Sequence, residues 1–325
     1  MKRGLSKFLQ LKINIYICLV LGWWFAGFYV MMLGRFYFLI NAREREKIIQ
    51  SIENVFEAHQ NRDEIYKISQ NVFDGIIAHY YEKIYNAYSS FETLNSFFRR
   101  NIEDRGISAI REGLAKRKGV LLVTGHFGGV EFMPSFLAAR DLPVAIVVRF
   151  SSAHLRRTSI RRAEQFRIKL IDVDNTPNIL RAIFAHLKEN HVVITQCDEI
   201  DEWKPSRQSA TIFLGKCIRR DRTIDIMGRR GGAAIVFALM QRTKPGEYRF
   251  MAKSLQEMVQ AFQTSTRFSI GELVLKVLEQ YIYKHPEEWY QWKKYLDVEA
   301  LPSDRIRADR PFTLPLLEPS FGVHP

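Results

Sequence analysis

Between Gly119 and Pro134 the sequence reads GVLLVTGHFGGVEFMP, the stretch that most restricts how this chain can fold. Val120 to Val123 is a short, unbroken apolar run rich in β-branched residues. That is the pattern of a strand covered on both faces, as in a parallel sheet with helices packed above and below. Thr124-Gly125 breaks the run, His126 follows, and Gly128-Gly129 lets the backbone turn tightly into a helix carrying Glu131. Ligands and chemistry in α/β folds gather at the carboxyl ends of such strands, where His126 stands. On one continuous helix, residues five apart point about 140° away from each other. Pairing of His126 with Glu131 therefore requires the histidine to stay in the loop and the glutamate to come from the first helical turn. A carboxylate on one imidazole nitrogen fixes the tautomer and leaves the other nitrogen free as a base. A plainer reading is a loop histidine and a helix-start glutamate favoured by the helix dipole.

Downstream, strand and helix patterns alternate. Val144 to Val148 is a strand ending at Arg149, and a basic helix follows from about Ala153 to Phe166. Leu170 to Val173 is a short strand, and Thr176-Pro177 supplies an N-cap and first turn for a helix with Ile179, Leu180, Ile183, Phe184 and Leu187 on one face. Val192 to Ile194 and Ala233 to Leu239 are further buried strands, with Tyr248 to Ala252 adding an antiparallel one. A helix through Leu273, Val277, Leu278 and Tyr281 stops before His285-Pro286. The expected class is α/β, a mostly parallel sheet flanked by helices. Ahead of it, Ala42 to about Arg100 reads as two or three amphipathic helices. The aromatic-rich segment from Tyr80 to Tyr88 suits either a lipid slot or ordinary core. The expected division is a membrane-associated helix over 1–40 and an enzymatic unit over 41–297. Within the latter, the helical part is 41–110 and the α/β core 111–297. A loosely ordered tail covers 298–325.

Ile15 to Gly34 is uncharged and long enough to cross a bilayer. Basic residues flank both ends (Lys2, Arg3, Lys7 and Lys12 before, Arg35, Arg43, Arg45 and Lys47 after), and no small-x-small cleavage site follows. Trp23 and Trp24 fall mid-stretch, where a spanning helix rarely places tryptophan. The expectation is a helix embedded in the inner leaflet, or re-entrant, with a buried core helix as the alternative.

The net charge of +13 points to an anionic partner, and its distribution is uneven. Arg149 to Lys169 and Lys216 to Arg230 together supply +10 of it. Arg157 and Arg161, one helical turn apart, share a face suited to an anionic headgroup, an anionic membrane surface or an acidic carrier protein. Nucleic acid is not expected, because charge is the only signature present. Three cysteines without metal-ligand spacing or an even disulfide count suggest a reducing environment. Arg149 is placed to hold a phosphate or an oxyanion, or else to form a salt bridge at the sheet end. Gln196-Cys197-Asp198-Glu199 follows the Val192 strand; its acids fit a salt-bridge cluster better than a metal site, since no histidine lies close by in sequence.

Several blocks resemble one family. HFGGVE is similar to the His-x4-Asp/Glu motif of the glycerolipid acyltransferase superfamily, and most to its lipid A (lauroyl/myristoyl) branch. HPEEWYQWKKY resembles that branch's closing block, and Phe213-Leu214-Gly215-Lys216 its Phe-Phe-Gly block. Departures occur at Arg149, which lacks the flanking tyrosine and proline, at Gln196 to Glu199, where an Asp-Gln pair is usual, and at Arg222 to Gly232. The resemblance covers about residues 45 to 295. It implies transfer of a fatty acyl group from an acyl carrier protein or acyl-CoA thioester to a lipid or glycolipid hydroxyl, with no cofactor and no metal. His126 would be the base and Glu131 its partner. Gly128, Gly129, Arg149, Arg157, Arg161, Gln196, Asp198 and Lys216 would serve the substrates. The implied location is the cytoplasmic face of a bacterial inner membrane. Alternatives are acylation of another lipid or a secondary-metabolite hydroxyl, and a non-catalytic protein binding anionic lipid on the same scaffold.

Overall fold

A computed structural model of the chain describes residues 5–9, 11–58, 60–150, 153–199, 205–262 and 269–301. The expected tail over 298–325 falls largely beyond these, as do Lys2 and Arg3 of the basic flank. Five helices come first: α1 (Leu5–Leu9), α2 (Lys12–Ile40), α3 (Ala42–Phe56), α4 (Arg62–Tyr88) and α5 (Phe91–Asn101). Then follow β1 (Ile102–Arg105), α6 (Ile107–Ala115), β2 (Val120–Thr124), a 3-10 turn at Val130–Phe132, α7 (Met133–Ala138), β3 (Val144–Val148), α8 (Ala153–Phe166) and β4 (Lys169–Asp172). The chain continues through α9 (Ile179–Lys188), β5 (Val192–Gln196), β6 (Pro205–Phe213), β7 (Lys216–Asp221), α10 (Thr223–Gly231), β8 (Ala234–Lys244) and β9 (Glu247–Ser254). It closes with α11 (Leu255–Ala261), α12 (Ile270–Lys284), a 3-10 turn at Pro286–Glu288 and α13 (Trp292–Leu296).

Seven strands form one sheet in the order β1-β9-β8-β2-β5-β3-β4. All its pairs are parallel except β8 with β9. β2 lies at the centre, and all five of its residues are buried. This is the covered strand that its apolar run predicts, with Leu121 and Val123 facing one core and Val120 and Leu122 the other. β6 and β7 make a separate antiparallel pair. Neither this hairpin nor β1 is announced by an apolar run: β1 reads IEDR, with three charged residues exposed on an edge strand.

The helical region resolves into α3, α4 and α5. Asn61 starts α4 with a capping box to Glu64, and the helix runs across to the chain's closing segment. Within it, Tyr85 packs edge-on against Trp23 and Phe132, so the Tyr80 to Tyr88 aromatics join the ordinary core here. Glu82 of α4 receives a two-pronged contact from Arg242 of β8 (2.6 and 2.9 Å) and a bond from the Tyr248 hydroxyl (2.8 Å). Leaving one partner of such a buried pair alone typically costs about 3–5 kcal/mol, so this pair strongly couples α4 to the sheet.

Helix α2 is broken at Gly22, whose backbone is left-handed (φ 76°). Among the described residues no single helix is long and apolar enough to cross a membrane; the segments Phe25–Ile40 and Ala42–Phe56, bent by 92°, meet that test only as a pair. One side of α2 packs on α4: Val30 and Phe38 are buried, Gly34 lies against Ile77, and Arg35 grips Asp74 at 3.0 and 2.7 Å. The opposite side exposes Phe25, Phe28, Met32, Phe36, Leu39 and Ile40.

Candidate active site

The loop after β2 is built by backbone constraint before any side chain acts. Gly128 is left-handed (φ 57°), and a Cβ there would collide with the carbonyl of Met240. That close approach lets Gly128 N–H donate to the Glu288 carbonyl (2.9 Å) and Gly129 N–H to that of Met240 (2.7 Å). The closing segment thus lies directly against the His126 loop, with Phe127 bridging Trp289 and Tyr290 N–H donating to the His126 carbonyl (3.3 Å). On the other side, β2 and β5 run in parallel register to Thr124 and Gln196, and Cys197 N–H extends the pairing to the Thr124 carbonyl (2.8 Å). The next residue, Asp198, arrives beside His126.

Asp198 holds the histidine twice. One carboxylate oxygen meets Nδ1 of His126 at 2.9 Å, and the other accepts the His126 backbone N–H at 2.9 Å. Trp289 Nε1 donates to that second oxygen at 2.8 Å. The Asp198 side chain is fully buried, and Trp289 is itself fixed in an aromatic cluster with Phe213, Trp292 and Tyr295. With so many fixed partners, the carboxylate has little room to rotate, so it sets both the tautomer and the ring plane of His126. Glu199 meets the other ring nitrogen, Nε2, at 2.9 Å, and its second oxygen contacts Lys294 at 3.1 Å.

Charge follows from this geometry. Burial alone would push the imidazole toward neutrality, but Asp198 and Glu199 outweigh it and raise its pKa to about 9. Burial likewise opposes ionisation of Glu199, yet His126 and Lys294 hold its carboxyl down at about 2. With a carboxylate at each ring nitrogen, this arrangement favours the imidazolium form of His126.

Glu131 does not pair with His126, which corrects the expectation drawn from their spacing. After Gly128 the chain enters the Val130–Phe132 turn, and the Glu131 carboxylate reaches α4 instead. There it contacts Lys83 at 3.1 Å and lies 3.6 Å from Nε2 of His79. Asn86 also fixes the Glu131 backbone carbonyl at 2.8 Å. Glu131 raises the Lys83 pKa, whereas burial, with Lys83, Arg242 and His126 nearby, lowers that of His79. His79 stacks on Tyr290 (3.6 Å between centroids), and Tyr290 stands at right angles to His126 at 5.2 Å. Glu131 therefore supports the wall behind the histidine rather than the histidine itself.

The other expected residues divide. Gln196 lies at the end of β5 beside Thr124, and Gly128 and Gly129 shape the loop. Arg149 is displaced from the His126 loop: the sheet is parallel, but β5 stands between β2 and β3, and the arginine contacts Asp174 at 3.4 Å. Arg157 and Arg161 are exposed on α8, as their spacing implies, while Arg162 is buried and bonded to the Ser89 carbonyl. Lys216 hooks the closing helix, donating to the Tyr295 carbonyl (2.9 Å) over the Tyr295 ring. Among the described residues two groups offer metal-ligand atoms, His186-Glu189-His191 and His285-Glu287-Glu288; neither includes His126, Asp198 or Glu199. Sequence reasoning gave no site role to Glu199, Lys294, Trp289, Tyr290, His79 or Lys83. Three of these sit in HPEEWYQWKKY, whose density of aromatic and basic residues was the available signal.

The model of the bacterial lipid A biosynthesis acyltransferase family matches residues 8–295. A search of curated proteins finds no match to the chain.

Proposed function

The chain belongs to the bacterial lipid A biosynthesis acyltransferase family and is an O-acyltransferase acting on a lipid acceptor; from that premise we propose that His126 is its general base and Asp198 the carboxylate that orients it. The observation that carries this reading is the double hold of Asp198 on the ring and backbone of His126 at 2.9 Å each. With Nδ1–H committed to Asp198, Nε2 is the nitrogen that exchanges a proton. It takes the hydroxyl proton of the acceptor as the oxygen attacks the carbonyl of an acyl thioester, carried by a carrier protein or by coenzyme A. A tetrahedral oxyanion forms. It collapses by breaking the carbon–sulfur bond, and the thiolate leaves with the proton from Nε2. Asp198 stabilises the imidazolium between the two steps. No enzyme nucleophile is required, because the attacking oxygen belongs to the acceptor. Cys197, the nearest thiol in sequence, is buried and has its pKa driven up by desolvation, which disfavours the thiolate.

Two surfaces fit the substrates' surroundings. The exposed apolar side of α2 suits burial in the acyl region of a membrane, and the arginines of α8 suit an anionic headgroup or an acidic carrier. We place the enzyme on the cytoplasmic face of the bacterial inner membrane, where carrier and coenzyme A thioesters are made.

The test is to incubate the full-length protein with a labelled acyl thioester and a lipid A-like acceptor, then weigh both lipid and quenched protein by mass spectrometry. The acyl mass is expected on the lipid hydroxyl and never on the protein. A trapped acyl-protein on the reaction path would overturn direct transfer.

A further inference from the structure

His126 has both ring nitrogens engaged by carboxylates, and the two carboxylates are not equivalent. Asp198 is fully buried and fixed by the His126 backbone N–H and by Trp289. Glu199 has 28% of its side chain exposed, and its described contacts are Nε2 of His126 and Nζ of Lys294. The acceptor hydroxyl must come within hydrogen-bond distance of Nε2, about 2.6–3.2 Å, to give up its proton. Oε1 of Glu199 lies there already, at 2.9 Å. One oxygen atom excludes the other.

We propose that Glu199 is a latch on the acceptor position: in the substrate-free enzyme its carboxylate occupies the place of the acceptor oxygen at Nε2, and the acceptor enters as Glu199 swings away on its contact with Lys294. This rests on the reading of His126 as the base. While the latch is closed, Nε2 carries a proton donated to Glu199 and cannot accept another. Opening passes that proton to water and leaves a neutral imidazole with Nδ1–H on Asp198. The charged and titratable groups around the pair come from several elements. Asp198 follows β5, Lys294 lies on α13, Tyr290 precedes α13, Lys83 and His79 lie on α4, and Glu131 is in the turn after Gly129.

Replacing the latch changes both the proton affinity of the ring and the pH at which the enzyme works. Glu199→Gln keeps the shape and removes the charge, so the imidazolium loses one of its two counter-ions. Lys294→Met keeps Glu199 and removes its competing cation, so the latch closes more tightly. The experiment uses full-length protein with 15N-labelled histidine, titrates the His126 ring by NMR, and measures kcat/KM for acyl transfer against pH. For Glu199→Gln the ring is expected to titrate at least one pH unit lower than in the wild type. The acid limb of kcat/KM moves down by the same interval, raising activity below the limb by about tenfold per unit. For Lys294→Met both move upward. An unshifted ring titration in folded Glu199→Gln would overturn the latch and leave His126 as base intact. A shifted ring with an unmoved acid limb would overturn the base assignment and the latch with it. Loss of kcat/KM at every pH in Glu199→Gln, with the limb unmoved, would make Glu199 a substrate-binding group and also overturn the latch.

Discussion

At the scale of single residues, the site turns on which carboxylate reaches the histidine. Asp198 does so through two contacts of 2.9 Å, while Glu131 sits among Lys83, His79 and Asn86. The two acids therefore fail differently when neutralised. Asp198→Asn loses the charge that stabilises the imidazolium and permits the wrong tautomer, and a drop in kcat of on the order of a hundred-fold or more is expected. Glu131→Gln leaves those contacts in place and unbalances Lys83, so the smaller loss is expected, seen mainly in KM. Measuring both variants side by side decides between them, and an equal, severe kcat loss in Glu131→Gln with a mild one in Asp198→Asn would reverse the assignment. The histidine itself was legible in sequence, because an apolar run ending in Thr-Gly-His puts it at a strand's carboxyl end. Its partner was not. The Asp198 contact joins residues 72 apart through the adjacency of β2 and β5, which no local pattern encodes. The His126–Glu131 spacing is local and suggests a pair, but the left-handed Gly128 and the contact with α4 direct Glu131 away.

At the scale of elements, period and apolarity predict buried strands and amphipathic helices, and β2, β3, β5 and β8 stand close to where those patterns put them. What pattern could not show was order. Arg149 follows β3 as the pattern predicts, but β5 lies between β3 and β2 and separates it from the His126 loop. The hairpin β6–β7 and the charged edge strand β1 lack an apolar signature because they pair outside the covered centre of the sheet. Helix α2 combines both lessons. Its composition was plain, but the break at Gly22 and the packing of one side on α4 required the fold. The exposed side is expected to bind membrane. Substituting Phe28 and Phe36 (72% and 56% exposed) by Asp removes apolar area from that face without opening the core. Vesicle co-sedimentation of the folded double variant is expected to fall well below wild type at matched salt; undiminished sedimentation would take α2 out of the membrane contact.

At the scale of the whole molecule, three distant parts of the chain converge on one imidazole. The central strand presents His126, its neighbour β5 delivers Asp198 and Glu199, and the closing segment brings Trp289, Tyr290 and Lys294. Helix α4 stands behind them, joined to the sheet through Glu82 and Arg242 and to the loop through Lys83 and Glu131. The family match over residues 8–295 spans all of these parts, the amino-terminal helices included. On the proposed reading, the acyltransferase depends on His126 as its single proton acceptor. The most direct measurement is the rate of acyl transfer from a labelled thioester to a lipid hydroxyl by full-length His126→Ala protein in lipid vesicles, with its fold verified independently. The rate is expected to fall by on the order of 10²–10⁴ while thioester binding persists; a folded His126→Ala enzyme working at close to the wild-type rate would contradict the account.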